Sequence, residues 1–337
     1  MTPTVDVHAH LLVGAAEALV ADEPALGAAR AEEGRAAGPA SSRVNREQIG
    51  ALVPDLTDVG RRLAACDRAG IDVQLVSPMP IHHYWADADL AGRYAAAVNQ
   101  GVAQHCAAAP DRLVGLGTAP LQHPDLAVAT LRRAMDDGLR GVEIATFVTG
   151  PDGRRRELDD PSLAPFWAAA AELEAIVFLH PWGCTLGERL DVGYLSNTVG
   201  NPVETTVALS RLVAAGLPDE GCRLLTAHGG GFFPYGTARQ DHAWHARTGD
   251  RVAPAPPSAA LRRLWFDSLV YTPEALRFLV AAAGADRVAL GTDFPFDMSV
   301  TDPRERLAAA GLDPAEAELV RAGSAAALLA PRGAPVA

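Results

Sequence analysis

The chain contains no lysine; all 29 of its Lys-plus-Arg residues are arginine. That absence excludes a Schiff-base lysine, the lysine of a phosphate-binding loop and a carboxylated lysine bridging two metals, so any metal site is expected to be mononuclear. Cysteine is scarce too. Cys66, Cys106, Cys184 and Cys222 are far apart with no C-x-x-C pair, which argues against a disulfide frame or zinc knuckle and for reduced, mostly buried thiols. No uninterrupted apolar run approaches the roughly 18 to 20 residues of a bilayer span. A patterned strand begins by Val5 with no basic, then apolar, leader before it, so the expectation is a cytoplasmic protein with no membrane partner. The arginines are scattered and the net charge is -12, which excludes nucleic acid as a partner.

What is present is a globular chain of 337 residues, 49% hydrophobic, with room for a large core. Eight short β-branched or leucine-rich runs alternate with amphipathic stretches: "VDVHAH" (5–10), "VQLVSP" (73–78), "LVGLGTAP" (113–120), "GVEIAT" (141–146), "IVFLHP" (176–181), "LLTAHGG" (224–230), "LWFDSLV" (264–270) and "VALGTDFP" (288–295). Helical periodicity marks "LTDVGRRLAACDRAG", "DLAVATLRRAMDDG" and "PEALRFLVAAAG", each closed by a glycine that can end a helix. Eight βα units predict an α/β fold, a (β/α)8 TIM barrel, as one domain over 1–337. The rival, an open doubly wound sheet, lacks its G-x-G-x-x-G turn after the first strand. Residues 14–55 interrupt the pattern and read as an insertion after the first strand, either a lid over the catalytic face or a solvated helix and linker; 330–337 reads as a frayed tail.

In "TVDVHAHLL", an unbroken extended strand puts Val5, Val7 and Ala9 on one face and Asp6, His8 and His10 on the other. Barrel enzymes place their chemistry at the C-terminal ends of the strands, and here the first strand ends in His8 and His10, the fifth in His180, the sixth in His228 and the eighth in Asp293. Three histidines and a carboxylate suit one zinc ion with a position left for water, which then ionises near neutral pH; His8, His10, His180 and Asp293 are the expected ligands. His228 remains as a base or polarising group, and Asp293 can also exchange protons. Glu143, ending the fourth strand, reads as a structural carboxylate or an extra ligand. His82 and His83 follow the second strand and can line the same mouth, whereas His105, His123, His242 and His245 read as surface residues. The three glycines after His228 suit either close backbone approach to a ligand or a tight turn.

"VDVHAH", "FLHPW", "TAHGGGFFP" and "LGTDFPF", in that order and spacing, resemble the 2-amino-3-carboxymuconate-6-semialdehyde decarboxylase branch of the amidohydrolase superfamily. The likeness runs from about residue 4 to residue 329 and includes "DRLVGLGTAPLQHPDLAV" and "NPVETTVAL". It implies a (β/α)8 barrel with one zinc, with manganese or another divalent ion as the alternative, held by His8, His10, His180 and Asp293, and a catalytic histidine at His228. It also implies a small carboxylic acid as substrate, gripped by two arginines. "SRVNRE" places the first at Arg43, with Arg46 as rival, and "GTARQDHAW" places the second at Arg239, supplied across a homodimer interface. Bidentate guanidinium groups fit a protein whose net negative charge repels an anionic substrate. The chain departs from the family at Gly183, where a carboxylate is expected, and at Tyr194, where a tryptophan is expected; Trp182, Tyr194 and Phe296 are the candidate pocket wall. The reaction implied is a non-oxidative decarboxylation of an unsaturated or aromatic acid by metal-bound hydroxide assisted by His228. The same site also suits a hydrolase or hydratase, and a barrel that only binds ligand is the third reading.

Overall fold

A computed structural model describes residues 2–218 and 221–330; of the expected tail, only Ala330 lies inside the described residues. Each expected strand is present, several of them shorter than the apolar runs that announce them. They are β1 (Val5–Leu11), β2 (Val73–Pro78), β3 (Leu113–Gly115) continued by β4 (Gly117–Thr118), β5 (Gly141–Ile144), β8 (Ile176–Leu179), β9 (Arg223–Thr226), β10 (Trp265–Asp267) and β11 (Val288–Ala289). The alternation did not foretell an antiparallel hairpin, β6 (Phe147–Thr149) and β7 (Arg155–Glu157), which follows β5.

Every barrel pairing is parallel, in the order β1, β2, β3 and then β4, β5, β8, β9, β10, β11. The last unit returns to the first through Val7 N–H to the Leu290 carbonyl (2.9 Å), Asp293 N–H to that of His8 (2.8 Å) and His10 N–H to that of Phe294 (2.8 Å), which closes the ring. Successive side chains alternate between two apolar layers. Val142, Ile144, Val177, Leu179 and Leu224 pack outward against the helices, while Leu75, Leu116, Ile176, Phe178, Leu225 and Ala289 fill the barrel interior. Ala325 and Leu328, on the helix Ser324–Leu329, join that inner plug. Each fully buried Leu or Phe contributes roughly 2 kcal/mol of transfer free energy, so two continuous layers hold the ring against its conformational entropy.

Above the plug the alternation brings polar residues inward: Ser77 two positions after Leu75, Thr118 after Leu116, His180 after Phe178 and Asp267 after Trp265, with Glu143 between the outward Val142 and Ile144. β1 breaks the simple alternation. Asp6 pairs with Gln74 but Ala9 pairs with Val76, three steps against two, so the strand carries a bulge. The expectation that Asp6 shares a face with both histidines is therefore corrected. Val5 and Val7 enter the plug, His8 and His10 turn toward the mouth, and Asp6 is held instead by Gln74 Nε2 (2.8 Å) and by the backbone N–H (3.0 Å) and hydroxyl of Thr292 (2.6 Å).

The insertion is helical. α1 (Gly14–Val20) leads to α2 (Pro24–Thr57), which kinks where Gly38 takes φ 77° ahead of Pro39, so the stretch read as a possible linker lies inside a helix. α2 docks on the segment after β8: the Ser41 hydroxyl donates to the Gly193 carbonyl, and Trp182 Nε1 donates to Glu33 at 3.1 Å. α3 (Val59–Ala69) follows, capped by Asp58 and closed by left-handed Gly70, and α4 (Ala88–Ala107) lies after β2. Two histidines read as surface residues lie deeper than expected. His105 on α4 is buried, its Nε2 accepting from Arg62 Nε (3.0 Å), and half-buried His123 bonds the Ala86 carbonyl; His242 and His245 are exposed.

Candidate metal centre

His8 sits on the bulged end of β1 with its ring fixed from behind. Its Nδ1 lies 2.6 Å from Asp267 Oδ2, and Asp267 also accepts from the backbone N–H groups of His228 (2.7 Å), Gly229 (2.8 Å) and Leu269 (3.0 Å). Burial pushes the Asp267 carboxyl up, but the bond from His8 and these further donors hold it below the usual carboxylate range, so it is ionised and His8 Nδ1 carries the proton. His10 is fixed the same way by a backbone acceptor, Nδ1 lying 3.0 Å from the Pro78 carbonyl. Both rings therefore turn an Nε2 lone pair inward, and these two nitrogens stand 3.1 Å apart.

Asp293 Oδ1 completes the group at 3.4 Å from His8 Nε2 and 3.3 Å from His10 Nε2. His180, directly beyond β8, directs its Nδ1 at the Pro181 carbonyl (3.0 Å), and its buried Nε2 has no hydrogen bond. The His180 ring centroid is 5.0 Å from that of His8 and 4.9 Å from that of His10. One ligand atom from each of His8, His180, His228 and Asp293 lies within 4.8 Å of the others, with His10 beside them. Two facing lone pairs, an unbonded carboxylate oxygen and an unbonded imidazole nitrogen repel one another unless a cation lies among them. These residues thus fit a divalent ion, and the Asp267–His8 pair is the outer carboxylate–histidine arrangement that orients metal ligands. Burial, then the neighbouring imidazoles, hold His180 well below its ordinary pKa, so it stays neutral as a ligand must.

His228 differs from the rest of the cluster. It lies on the loop beyond β9 at φ 55°, its side chain is 17% exposed where those of His8 and His10 are fully buried, and its Nε2 is 3.7 Å from Asp293 Oδ2. Asp293 itself takes φ 61°. Burial lowers the His228 pKa, but Asp293 and Asp267 outweigh it and the net direction is upward. The glycines that follow serve the turn and its packing: all three have positive φ, and a Cβ on Gly230 would lie 2.8 Å from the Phe266 ring, and one on Gly231 2.4 Å from the Pro202 carbonyl oxygen.

The remaining expected residues divide. Phe296 is at the cluster, its ring centroid 5.1 Å from that of His10. Half-buried Tyr194 is pushed up to about 12 by burial, then by the charges of Asp297 and Asp293, so it shares the field of the site. Trp182 is tied to the insertion through Glu33. Arg43 and Arg239 are exposed and make no ion pair among the described residues, while Arg46 lines a surface cleft of about 630 Å3 between α2 and the loop carrying Glu188 and Asp191. His83 turns away from the cluster toward Glu17 (3.7 Å) and the Tyr94 ring. Sequence reasoning missed Asp267. The signal was only partial: Asp267 is the one carboxylate in the apolar run "LWFDSLV", but the run does not show where the strand ends or which side chains face inward.

The amidohydrolase family model matches residues 5–330. Over 250 residues the chain is 36% identical to 2-amino-3-carboxymuconate-6-semialdehyde decarboxylase of Dictyostelium discoideum, covering 72% of this chain and 68% of that one. Over 257 residues it is 31% identical to gamma-resorcylate decarboxylase of Rhizobium sp. (strain MTP-10005), covering 70% and 76%. Among solved structures, dihydroxybenzoic acid decarboxylase from Polaromonas sp. JS666, with bound manganese and the inhibitor 2-nitroresorcinol, superposes with a TM-score of 0.82 at 23% identity, covering 98% of this chain and 97% of that one. A 2,6-dihydroxybenzoate decarboxylase complexed with 2,6-dihydroxybenzoate superposes with a TM-score of 0.80, also at 23% identity, and these two likenesses establish the TIM barrel. With a family match over nearly its whole length, the chain belongs to the amidohydrolase family.

Proposed function

We propose that this protein is a metal-dependent, non-oxidative decarboxylase of a small unsaturated or aromatic carboxylic acid. The observation that carries the reading is the pair of inward Nε2 atoms of His8 and His10, 3.1 Å apart beside an unbonded Asp293 oxygen, with His228 on a more open loop above them. The relatives' names, all decarboxylases of unsaturated or aromatic acids, support the same chemistry. His8, His10, His180 and Asp293 would hold the ion, and three nitrogens with one oxygen favour zinc, with manganese as the alternative. Bound there, a divalent ion acts as a Lewis acid toward the substrate's oxygens and lowers the pKa of water.

The chain's own residues do the rest. His228, in its imidazolium form, delivers a proton to the carbon that bears the carboxylate; a C–H bond forms at the expense of the π system. The C–C bond to the carboxylate then breaks, its electron pair restores the π system, and CO2 leaves, so one proton is consumed and no oxidant is needed. Asp293 holds the imidazolium between turnovers. Phe296 and Tyr194 bound the pocket. Arg43, from the insertion, and Arg239, supplied by a second copy of the chain, would bind the substrate's carboxylates, and α2 would cover the mouth as a lid.

The test is CO2 release by purified, metal-loaded protein from a panel of unsaturated and hydroxylated aromatic acids, compared with His228→Ala. The variant should retain its metal and lose turnover by about 10^3-fold or more. Full turnover by His228→Ala removes the role given to that residue. Incorporation of solvent oxygen into product without CO2 makes the protein a hydrolase or hydratase instead.

A further inference from the structure

The inward polar ring at the barrel mouth is occupied all the way round, but the metal cluster uses only one side of it. β1 and β10, with the segments that follow β8, β9 and β11, supply His8, His10, Asp267, His180, His228 and Asp293. The opposite side carries Ser77, Thr118 and Glu143, with His82 reaching in from the loop after β2; Ser77 and Thr118 are hydrogen-bonded, but three polar atoms here, His82 Nε2 and both Glu143 oxygens, are not. Glu143 is fully buried, and neither of its carboxyl oxygens has a hydrogen bond. His82 is buried as well, and its Nε2, 3.9 Å from Glu143 Oε1, is also without a bond.

These groups are held rigidly. The His82 ring stacks on Tyr84 at 5.1 Å with 14° between planes, and its Nδ1 lies 3.2 Å from the Thr118 hydroxyl. Thr118 is itself gripped by Asn99, which accepts from its backbone N–H at 2.7 Å and donates to its carbonyl at 3.2 Å. Leaving three buried polar atoms unpaired is destabilising, a cost a fold carries where a ligand supplies the missing partner. Glu143 is not needed to orient His10, whose Nδ1 already has the Pro78 carbonyl. Yet Glu143 Oε2 is only 3.7 Å from that same Nδ1, one imidazole's width from the metal cluster. The His10 ring stands between Glu143 and the ion, so a group bound here belongs to a substrate that reaches past the edge of that ring.

We propose that Glu143 and His82 form a specificity subsite that binds a hydroxyl or amino substituent on the substrate, Glu143 accepting its hydrogen and His82 Nε2 making the second bond. The inference rests on the decarboxylase reading for what lies at the ion, and it narrows the substrate class to acids carrying such a group.

The test uses metal-loaded protein and matched pairs of acids: benzoate against its hydroxyl- and amino-substituted forms at each ring position, measured both by direct titration for affinity and by CO2 release for kcat/KM. At one or more ring positions the substituted acid should be favoured by about 100-fold in the wild-type protein. That ratio should fall to within about fivefold of unity in His82→Phe, which keeps the stack on Tyr84, and in Glu143→Leu. His82→Phe keeps the proposal testable if the Glu143 variant does not fold. Equal affinity for substituted and plain acids in the wild type overturns the subsite, as does a ratio that survives both substitutions, since the unbonded atoms then serve bound water or structure alone. A ratio carried by these residues in titrations that release no CO2 leaves the subsite standing and removes the decarboxylase reading.

Discussion

The two sides of the barrel mouth are built from the same kind of strand ends and treat their polar atoms in opposite ways. On the metal side His8, His10 and His180 each have one ring nitrogen directed at a protein acceptor, Asp267, Pro78 or Pro181, so the other nitrogen must turn inward. On the opposite side the scaffold grips His82 just as firmly but leaves His82 Nε2 and both Glu143 oxygens unbonded. A ring of donors in a closed sheet thus divides into a part arranged for an ion and a part arranged for the molecule beside it, and the outer partners decide which is which.

Breaking the metal side should have the largest effect. His180→Ala should reduce bound metal from about one ion per chain to below ~0.1 and turnover by ~10^3-fold or more, read by elemental analysis and CO2 release on the same preparation. Asp267→Asn keeps every inward donor but removes the charge that fixes His8. It should weaken metal binding by about 10- to 100-fold in a chelator competition and lower unfolding stability by about 2 kcal/mol in urea. Unchanged metal affinity in that variant would show that the outer carboxylate does not set the ring. Across the mouth, His82→Phe should leave metal stoichiometry at one while collapsing the preference for substituted acids, which is the sharpest form of the contrast.

Behind both sides runs a buried network: Arg62 bonds His105, Gln74 Oε1 (2.7 Å) and the His10 carbonyl (2.5 Å), and Gln74 bonds Asp6. His105 is lowered from 6.5 to about 4, by burial and then by the Arg62 guanidinium. A depressed folded-state pKa means that the stability due to neutral His105 is complete above pH 6.5 and is lost as pH falls toward 4. Between pH 7 and 5 the wild type should lose about 1 to 2 kcal/mol more than His105→Gln, measured by denaturant unfolding; parallel pH curves would remove the network from the account. Smallest of all, Arg239→Ala should raise KM about 10-fold, with sedimentation deciding whether the active species is a dimer.

Much of this was legible in the chain, and the failures share a cause. Eight strands, the barrel and all five residues of the cluster follow from apolar runs that end in histidine or aspartate, because the pattern of a closed parallel sheet is local. The β1 bulge was not legible: an extra residue changes which neighbours face inward, and only the pairing of Asp6 with Gln74 and Ala9 with Val76 reveals it. Asp267 was passed over because its role depends on His8, 259 positions away in sequence. His105 was misplaced for a similar reason, since its burial is set by Arg62 on another helix.

Diffraction at an absorption edge on crystals of metal-loaded protein tests the central claim most directly. A single anomalous peak should lie about 2.0 to 2.3 Å from His8 Nε2, His10 Nε2, His180 Nε2 and an Asp293 oxygen, with His228 outside that shell. An active enzyme whose ion sits elsewhere, or that carries none, would contradict it.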